Sequence, residues 1–278
     1  MTRREIDLRV AINAISDVVQ NRPKPIRQFD QIYMKSGDMV LQSELIASWA
    51  DGKRLAFIGD GDAISVCIAY LKKRDIIDYG PSKIVVYDFD ERIVQAVKRF
   101  ADKERLDNLD AVLYNCLDAF PDSGRYDLFY TNPPWGASNN GESVIVFTER
   151  GMEATGYTGA GMIVIADDEE LDWPKQVLAS TQGFAFNRGH YVSRMMPRMH
   201  LYHLDDAPNL KSCNLEIAAL PGNRRLQKSE AITDPVRLQN FYGRSKQPRV
   251  KYVREVKSLN YGNAREDEYE LHLLEGSV

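Results

Sequence analysis

Apolar residues recur at helical spacing over residues 4–20, where Ile6, Val10, Ile15, Val18 and Val19 predict an amphipathic helix. The Arg22-Pro23-Lys24-Pro25 segment ends it, because proline disfavours helix at the residue before it. Residues 38–50 predict a second helix with Asp38 as its N-cap. The pattern then changes. Short, nearly continuous apolar runs at 55–58, 83–88, 111–114, 126–131 and 162–166 are separated by helical stretches at 63–74, 90–104 and 142–154. Strands that read as unbroken apolar runs are buried on both faces, which predicts a parallel sheet covered by helices on each side. Beyond residue 167 the signal weakens. Residues 172–182 read as one more helix, and 200–204 and 215–220 as two strands that close the sheet as an antiparallel pair. The expected fold class is α/β: a doubly wound, mostly parallel seven-stranded Rossmann-like sheet with a C-terminal antiparallel strand pair. The expected divisions are a helical lead-in over 1–50, the sheet domain over 51–221 and an extension over 222–278.

Composition narrows the picture. The chain has 278 residues, 44% hydrophobic and 27% charged, enough to bury a large core without disulfides or a metal. No apolar run reaches the ~18 residues of a membrane helix, and charges occupy the N-terminal stretch where a signal peptide is apolar. The three cysteines, Cys67, Cys116 and Cys213, are far apart and form no CxxC pair. That suggests neither a zinc cluster nor a disulfide framework, and a reducing, cytoplasmic setting without a membrane partner. Thirty-six Lys and Arg against 40 Asp and Glu exclude a globally basic nucleic-acid binder. Residues 224–257 nevertheless hold ten Lys/Arg against three acids, interleaved with Phe241, Tyr242 and Tyr252. This stretch reads as a solvated face that pairs with Glu266, Asp267, Glu268 and Glu270. A single-stranded nucleic acid is the alternative partner.

The candidate chemistry sits where the strands end. In a doubly wound sheet, ligands bind outside the carboxyl ends of the strands. The first strand runs into Gly59-Asp60-Gly61-Asp62-Ala63. Its glycines allow a tight turn and close backbone approach, but position 64 is Ile, so the third glycine of a dinucleotide loop is missing. A pyrophosphate placed here would meet the carboxylates of Asp60 and Asp62. A phosphate-free cation fits better, and S-adenosylmethionine, with its sulfonium and ammonium, is such a ligand. The bland alternative is a turn whose aspartates cap the next helix. The second strand ends in Asp88, placed to accept from ribose hydroxyls, with Phe89 beside it. Glu91 reads as a first-turn acid favoured by the helix dipole. Asp118, after the third strand, can accept from an adenine amino group or cap a helix.

The fourth strand leads into Thr131-Asn132-Pro133-Pro134-Trp135-Gly136. Two prolines fix the backbone and hold the Asn132 amide and the neighbouring carbonyls in the same crevice. Trp135 offers a flat face to a planar base or a cationic amine. Such a site orients an amine for in-line displacement at a sulfonium, chiefly by positioning. Other candidates are weaker. His200 and His203 sit three apart on a presumed strand and face opposite ways, which excludes a shared metal. His190 is a candidate for the acceptor wall, as are Asp167, Asp168, Glu169 and Glu170 after the fifth strand.

The order of these motifs resembles class I S-adenosylmethionine-dependent methyltransferases of the amino-group type over roughly residues 53–170. A narrower resemblance is to the branched-chain polyamine synthases, the N4-bis(aminopropyl)spermidine synthases, from about residue 22 to about 220. It rests on Pro23-Lys24-Pro25-Ile26-Arg27-Gln28-Phe29-Asp30-Gln31-Ile32-Tyr33, on Gly59 to Ser65, on Asp88-Phe89-Asp90-Glu91-Arg92 and on Asn132-Pro133-Pro134-Trp135. The family pattern is P-x-R-x-(F/Y)-D-Q-x-Y, GDDD, D-x-D-E-R and DPPY. This chain replaces the third letter of GDDD by Gly61 and reads NPPW for DPPY, and the family's N-terminal winged helix has no counterpart in the roughly fifty residues before the first strand.

The resemblance implies decarboxylated S-adenosylmethionine, or S-adenosylmethionine itself, as donor substrate, with no metal. It implies a small amine or polyamine as acceptor, and a homodimer is compatible with it. Gly59, Asp60, Gly61, Asp88 and Phe89 would hold the donor and Asp118 its adenine. Asp62, Asn132, Pro133, Pro134 and Trp135 would hold the acceptor. Asp60, Asp62 and Asn132 are the catalytic candidates, either aspartate receiving the proton. Phe57 stands where methyltransferases carry an acid for the methionine ammonium. Carboxylates in the loop would repel a methionine carboxylate and attract a bare aminopropyl ammonium. Two alternatives stay open: an N-methyltransferase acting on an amino group of nucleic acid or protein, and a non-enzymatic binding module on the same fold.

Overall fold

Five apolar runs become β1 (Arg54–Ile58), β2 (Lys83–Asp88), β3 (Leu109–Leu113), β4 (Leu128–Thr131) and β5 (Ala160–Asp167) in the computed structural model. It describes residues 6–137, 139–223, 228–242, 249–257 and 269–274. These strands pair in parallel, in the order β3-β2-β1-β4-β5. β7 (Lys211–Ala219) joins β5 antiparallel, and β6 (His190–Leu201) forms the edge beyond it. Leu55, Ala56, Phe57 and Ile58 are wholly buried, as a strand between two helical layers must be. The helices are α3 (Ile64–Lys73), α4 (Glu91–Glu104), α5 (Glu142–Ala154) and α6 (Asp172–Asn187). α4 turns Val94, Val97 and Phe100 inward and leaves Lys98 and Arg99 exposed. α5 lies directly on the sheet, because Gly151 and Gly161 have no side chain: a Cβ there would come within 2.1 and 2.0 Å of the Phe129 ring. The chain order reverses between β1 and β4, so the crevice opens at their carboxyl ends.

Three expectations are corrected. The edge strand starts at His190, ten residues earlier than its apolar pattern indicated. Most of it is exposed, so it shows no buried-strand signature, and Pro197 is tolerated because an edge strand need not donate on its outer side. Asp38 is not the N-cap of the second helix. That helix, α2 (Ser36–Trp49), begins after Lys35, and the Asp38 carboxylate accepts from the Leu201 backbone N–H at 2.8 Å. The stretch after residue 222 is not merely a solvated extension. α7 (Pro235–Tyr242) packs on α5, and the ribbon of β8 (Val250–Glu255) and β9 (Tyr269–Leu273) lies against α4. Val250 and Val253 are buried against Ile26, Phe29 and Phe89.

The lead-in, α1 (Leu8–Asn21) and α2, packs on α3, and Ile15, Met39 and Ile46 share one core with Phe57 and Val86 of the sheet. Three of the six basic residues in the described part of 224–257 pair with acids of the sheet domain. Arg237 pairs with Glu142 and Glu149, Arg254 with Glu91, and Lys251 with Asp118. Arg224, Arg225, Arg244, Lys246, Glu266, Asp267 and Glu268 lie outside the described residues. All three cysteines are buried and unpaired. Among the described residues no helix is long and apolar enough to cross a membrane.

Candidate active site

A cavity of about 400 Å³ opens at the carboxyl ends of β1, β2 and β4. Its floor is the glycine loop, Asp88 and the Asn-Pro-Pro-Trp turn, and residues 27–33 of the lead-in form one wall. Phe241 and Val250 bring the C-terminal elements into its lining. Asp30, Asp60, Asp62, Asp88 and Asp206 line it, and among the described residues of the lining the one guanidinium is Arg27, which pairs with Asp206 at 3.5 Å on the rim.

Gly59 has φ 75°, in the left-handed region that suits glycine, and its N–H donates to the Tyr87 carbonyl at 2.8 Å. Gly61 is pressed by the lead-in: a Cβ there would lie 3.2 Å from Tyr33 Cε1. The missing acid of the GDDD pattern thus falls where the Tyr33 ring sits. Gly61→Asp, which restores that pattern, is expected to overpack this contact and cost about 1–3 kcal/mol. Thermal denaturation reads the effect, and an unchanged melting temperature would show that the ring yields freely.

The two loop aspartates are not equivalent. Asp60 Oδ1 accepts from the Ile64 N–H at 2.9 Å, and Oδ2 accepts from the Ser65 N–H at 3.1 Å and the Ser65 hydroxyl at 2.5 Å. Its carboxylate therefore caps α3, the bland alternative at this position, and its own N–H donates to Asp88 Oδ2 at 3.0 Å. Burial pushes its pKa well up. Asp62 lies between the loop and the lead-in. Oδ1 accepts from the Met34 N–H at 2.6 Å and Oδ2 from Asn132 Nδ2 at 2.7 Å. Burial raises its pKa, and the Arg22 guanidinium opposes that shift.

Asp88 accepts from the N–H groups of Asp60 and Asp90. Burial, reinforced by the neighbouring Asp90 carboxylate, lifts its pKa to about 7. Phe89 lies beside it, edge-on to Phe29 at 5.6 Å. Asp118 does not line the cavity. Its carboxylate is turned to Lys251 Nζ and the Tyr252 hydroxyl, so this placement does not support its expected adenine contact. Asn115 and Cys116 form that wall instead.

In the turn after β4, the Asn132 amide is engaged at both ends. Nδ2 donates to Asp62, and Oδ1 accepts from Trp135 Nε1 at 3.2 Å. The Ser143 hydroxyl donates to the Pro134 carbonyl at 2.7 Å and pins the turn. Trp135 stands edge-on to Tyr202 at 4.7 Å, so its indole is fixed as a wall of the cavity beside Pro133 and Pro134.

Other candidates fall elsewhere. His190 opens β6 opposite Ala219 and packs against Tyr157, not at the cavity. His200 is buried and His203 exposed. Asp167 accepts from the Arg198 N–H, Asp168 from the N–H groups of Glu170 and Leu171, and Glu169 pairs with Arg198. None of these acids lines the cavity, whose rim acids are Asp30 and Asp206.

Sequence reasoning missed the most deeply buried charges. Asp90 and Arg92 are each 0% exposed and form a two-pronged pair, with Nε to Oδ1 at 3.0 Å and Nη2 to Oδ2 at 2.6 Å. Gln31 Nε2 donates to the same carboxylate at 2.9 Å, while its Oε1 accepts from the Ile26 N–H at 2.7 Å. Through Asp90, α4 holds the lead-in wall in place. The D-x-D-E-R and F-D-Q motifs carried the signal, without showing that they meet.

A sheet of this strand order, with acids after β1 and β2 and a rigid Asn-Pro-Pro-Trp turn after β4, has the class I methyltransferase-like fold. The match is narrower than that class. The family described as branched-chain polyamine synthase A C-terminal domain matches residues 11–273, and the chain belongs to that family. An N(4)-bis(aminopropyl)spermidine synthase of Thermococcus kodakarensis is 27% identical over 145 residues, 51% of this chain and 38% of that protein. Its namesake from Thermus thermophilus is 26% identical over 187 residues, 66% of this chain and 50% of that protein. The chain thus aligns with half or less of these relatives' length. The crystal structure of the Thermus thermophilus branched-chain polyamine synthase superposes with a TM-score of 0.67 at 21% identity, covering 83% of this chain and 69% of that one.

Proposed function

We propose that the protein transfers an aminopropyl group from decarboxylated S-adenosylmethionine to a polyamine nitrogen. One observation carries this reading: the buried Asp62 carboxylate, held between the glycine loop and the Asn-Pro-Pro-Trp turn in an acid-lined cavity. Membership of the family supports it. Loss of the aminopropyl group from that donor leaves 5'-methylthioadenosine. The Thermus thermophilus structure is named as a complex with that molecule and N4-aminopropylspermidine.

The donor's ribose hydroxyls donate to Asp88, and Asn115 takes the adenine side in place of Asp118. The acceptor nitrogen lies between Asp62 and Trp135. Its lone pair attacks the aminopropyl carbon bound to sulfur. The C–S bond breaks, its electron pair goes to sulfur, and the sulfonium becomes a neutral thioether. The nitrogen's surplus proton passes to Asp62, whose raised pKa suits it to receive one. Asp60, committed to α3, shapes the loop. The N-methyltransferase alternative weakens, because the Asn132 amide that would hold a planar amino group is already engaged by Asp62 and Trp135.

Calorimetry with the two donors tests the reading. Preference for the decarboxylated donor supports it, and preference for S-adenosylmethionine overturns it. Donor affinity also carries a pH signature. Ribose hydroxyls donate to an ionised carboxylate, so the donor Kd is expected to fall up to about tenfold per pH unit as pH rises towards 7, then level off. In the free protein the sign is opposite for stability. The folded chain holds the Asp88 proton more tightly than the unfolded chain does. This contribution is full below the ordinary carboxylate range and is lost as pH rises through about 7. A donor Kd that is flat from about pH 5 to 8 would remove Asp88 from the donor site.

A further inference from the structure

One guanidinium touches the glycine loop from outside the cavity, and the transfer chemistry does not use it. Arg22 caps the C-terminal end of α1, and its Nη1 donates to the backbone carbonyl of Asp62 at 3.1 Å. The same nitrogen lies 3.5 Å from Met39 Sδ. The guanidinium carbon sits 4.1 Å from the centre of the Tyr33 ring, a cation–π contact. The Tyr33 hydroxyl donates to the Pro23 carbonyl at 2.9 Å, which ties ring and guanidinium into one turn. The next residue, Met34, donates its N–H to Asp62 Oδ1. Residues 22–34 therefore grip Asp62 at both ends, by its carbonyl and by its carboxylate.

The loop needs a counter-charge. Asp60 and Asp62 stand two positions apart, each only 4% exposed, and like charges so placed oppose each other's ionisation. The other titratable groups facing Asp62 are Tyr33 of the lead-in, Cys67 of α3, Tyr130 of β4, and Tyr202 and His203 after β6. Burial pushes the three hydroxyls and the thiol up, so they stay neutral. His203 is exposed to water, which screens it. Arg22 is the cation hydrogen-bonded to Asp62 itself, and a guanidinium keeps its charge at every working pH. Its charge opposes the effect of burial on the Asp62 carboxyl.

We propose that Arg22 is a positioning residue for the transfer: it holds the Asp62 carbonyl and, through its fixed charge, keeps the Asp62 carboxylate ionised and ready for the acceptor's proton. The inference rests on the reading that Asp62 receives that proton. Burial alone would leave the carboxyl protonated and unable to accept. The guanidinium balances burial, so that the group is charged before the transfer and still basic enough to take the proton during it. The lead-in thereby has a part in the chemistry as well as in the wall.

Single-turnover rates with both substrates saturating, followed against pH, test the charge. In Arg22→Met the acid limb of the profile is expected to move up by about one pH unit, so the rate on that limb falls about tenfold. On the plateau the rate should stay within about threefold of native. A merely structural role would lower the rate at every pH alike. Arg22→Lys keeps the charge and should restore the native limb, and His203 is present in every variant. A limb that stays in place in Arg22→Met overturns the inference, as does an Arg22→Lys profile displaced just as far. Carbon-13 titration of the ligand-free chain decides which part failed, the Asp62 carboxyl being recognised by its absence in Asp62→Asn. A carboxyl that titrates higher in Arg22→Met while the rate limb stays put removes Asp62 as proton acceptor. A carboxyl that does not move removes Arg22 as its partner. If the chain moves no aminopropyl group at all, the reading of function fails while the titration still decides the hold of Arg22 on Asp62.

Discussion

Asp62→Asn is expected to slow aminopropyl transfer by roughly 10²–10⁴-fold, the usual worth of a positioned proton acceptor. Donor affinity should change little, because the donor's ribose is assigned to Asp88. The variant keeps the shape of the side chain and its bond from the Met34 N–H, but the new amide nitrogen then faces Asn132 Nδ2, donor against donor. Some loss of stability, about 1–3 kcal/mol, accompanies the kinetic effect. Single-turnover rates with saturating donor and acceptor separate the two, since they count only folded, loaded enzyme. A single-turnover rate within a few fold of the native one would sink Asp62 as the proton acceptor.

The second large effect is on stability. Asp90→Ala leaves the Arg92 guanidinium fully buried with its carboxylate partner gone. Breaking a buried pair on one side costs about 3–5 kcal/mol. At roughly 2–4 °C per kcal/mol for a chain of this size, the melting temperature should fall by about 6–20 °C. Donor affinity should fall as well, because Gln31 loses the carboxylate that holds the lead-in wall. Adding Arg92→Met removes the stranded charge, and the double variant is expected to recover much of the lost stability but not the wall. If the double variant is no more stable than Asp90→Ala, the damage lies outside the ion pair.

Legibility in the sequence tracked burial. β1, β2, β4 and β5 could be read because both their faces are largely covered, so each is a nearly continuous apolar run. β6 could not, because an edge strand with Tyr191, Val192 and Met195 exposed carries no such run. The C-terminal elements were hidden because their anchors, Val250 and Val253, are isolated apolar residues whose partners Ile26 and Phe89 lie far away in sequence. At the site, motif spacing found the glycine loop, Asp88 and the proline turn. Spacing could not tell Asp60 from Asp62, since which one caps α3 depends on the left-handed turn at Ala63, where φ is 61°. Asp118 was misread for the same kind of reason: Lys251, which holds it, comes from a strand with no link to it in the pattern.

The contact of Ile26 with Val250 and Val253 joins the lead-in to the C-terminal ribbon beside the cavity. During synthesis the parallel core is complete long before residue 250 leaves the ribosome. Until then Phe29 and Phe89 lack their cover, and the growing polypeptide carries an open apolar rim. A chain halted before residue 250 would leave that aromatic rim open to other apolar surfaces.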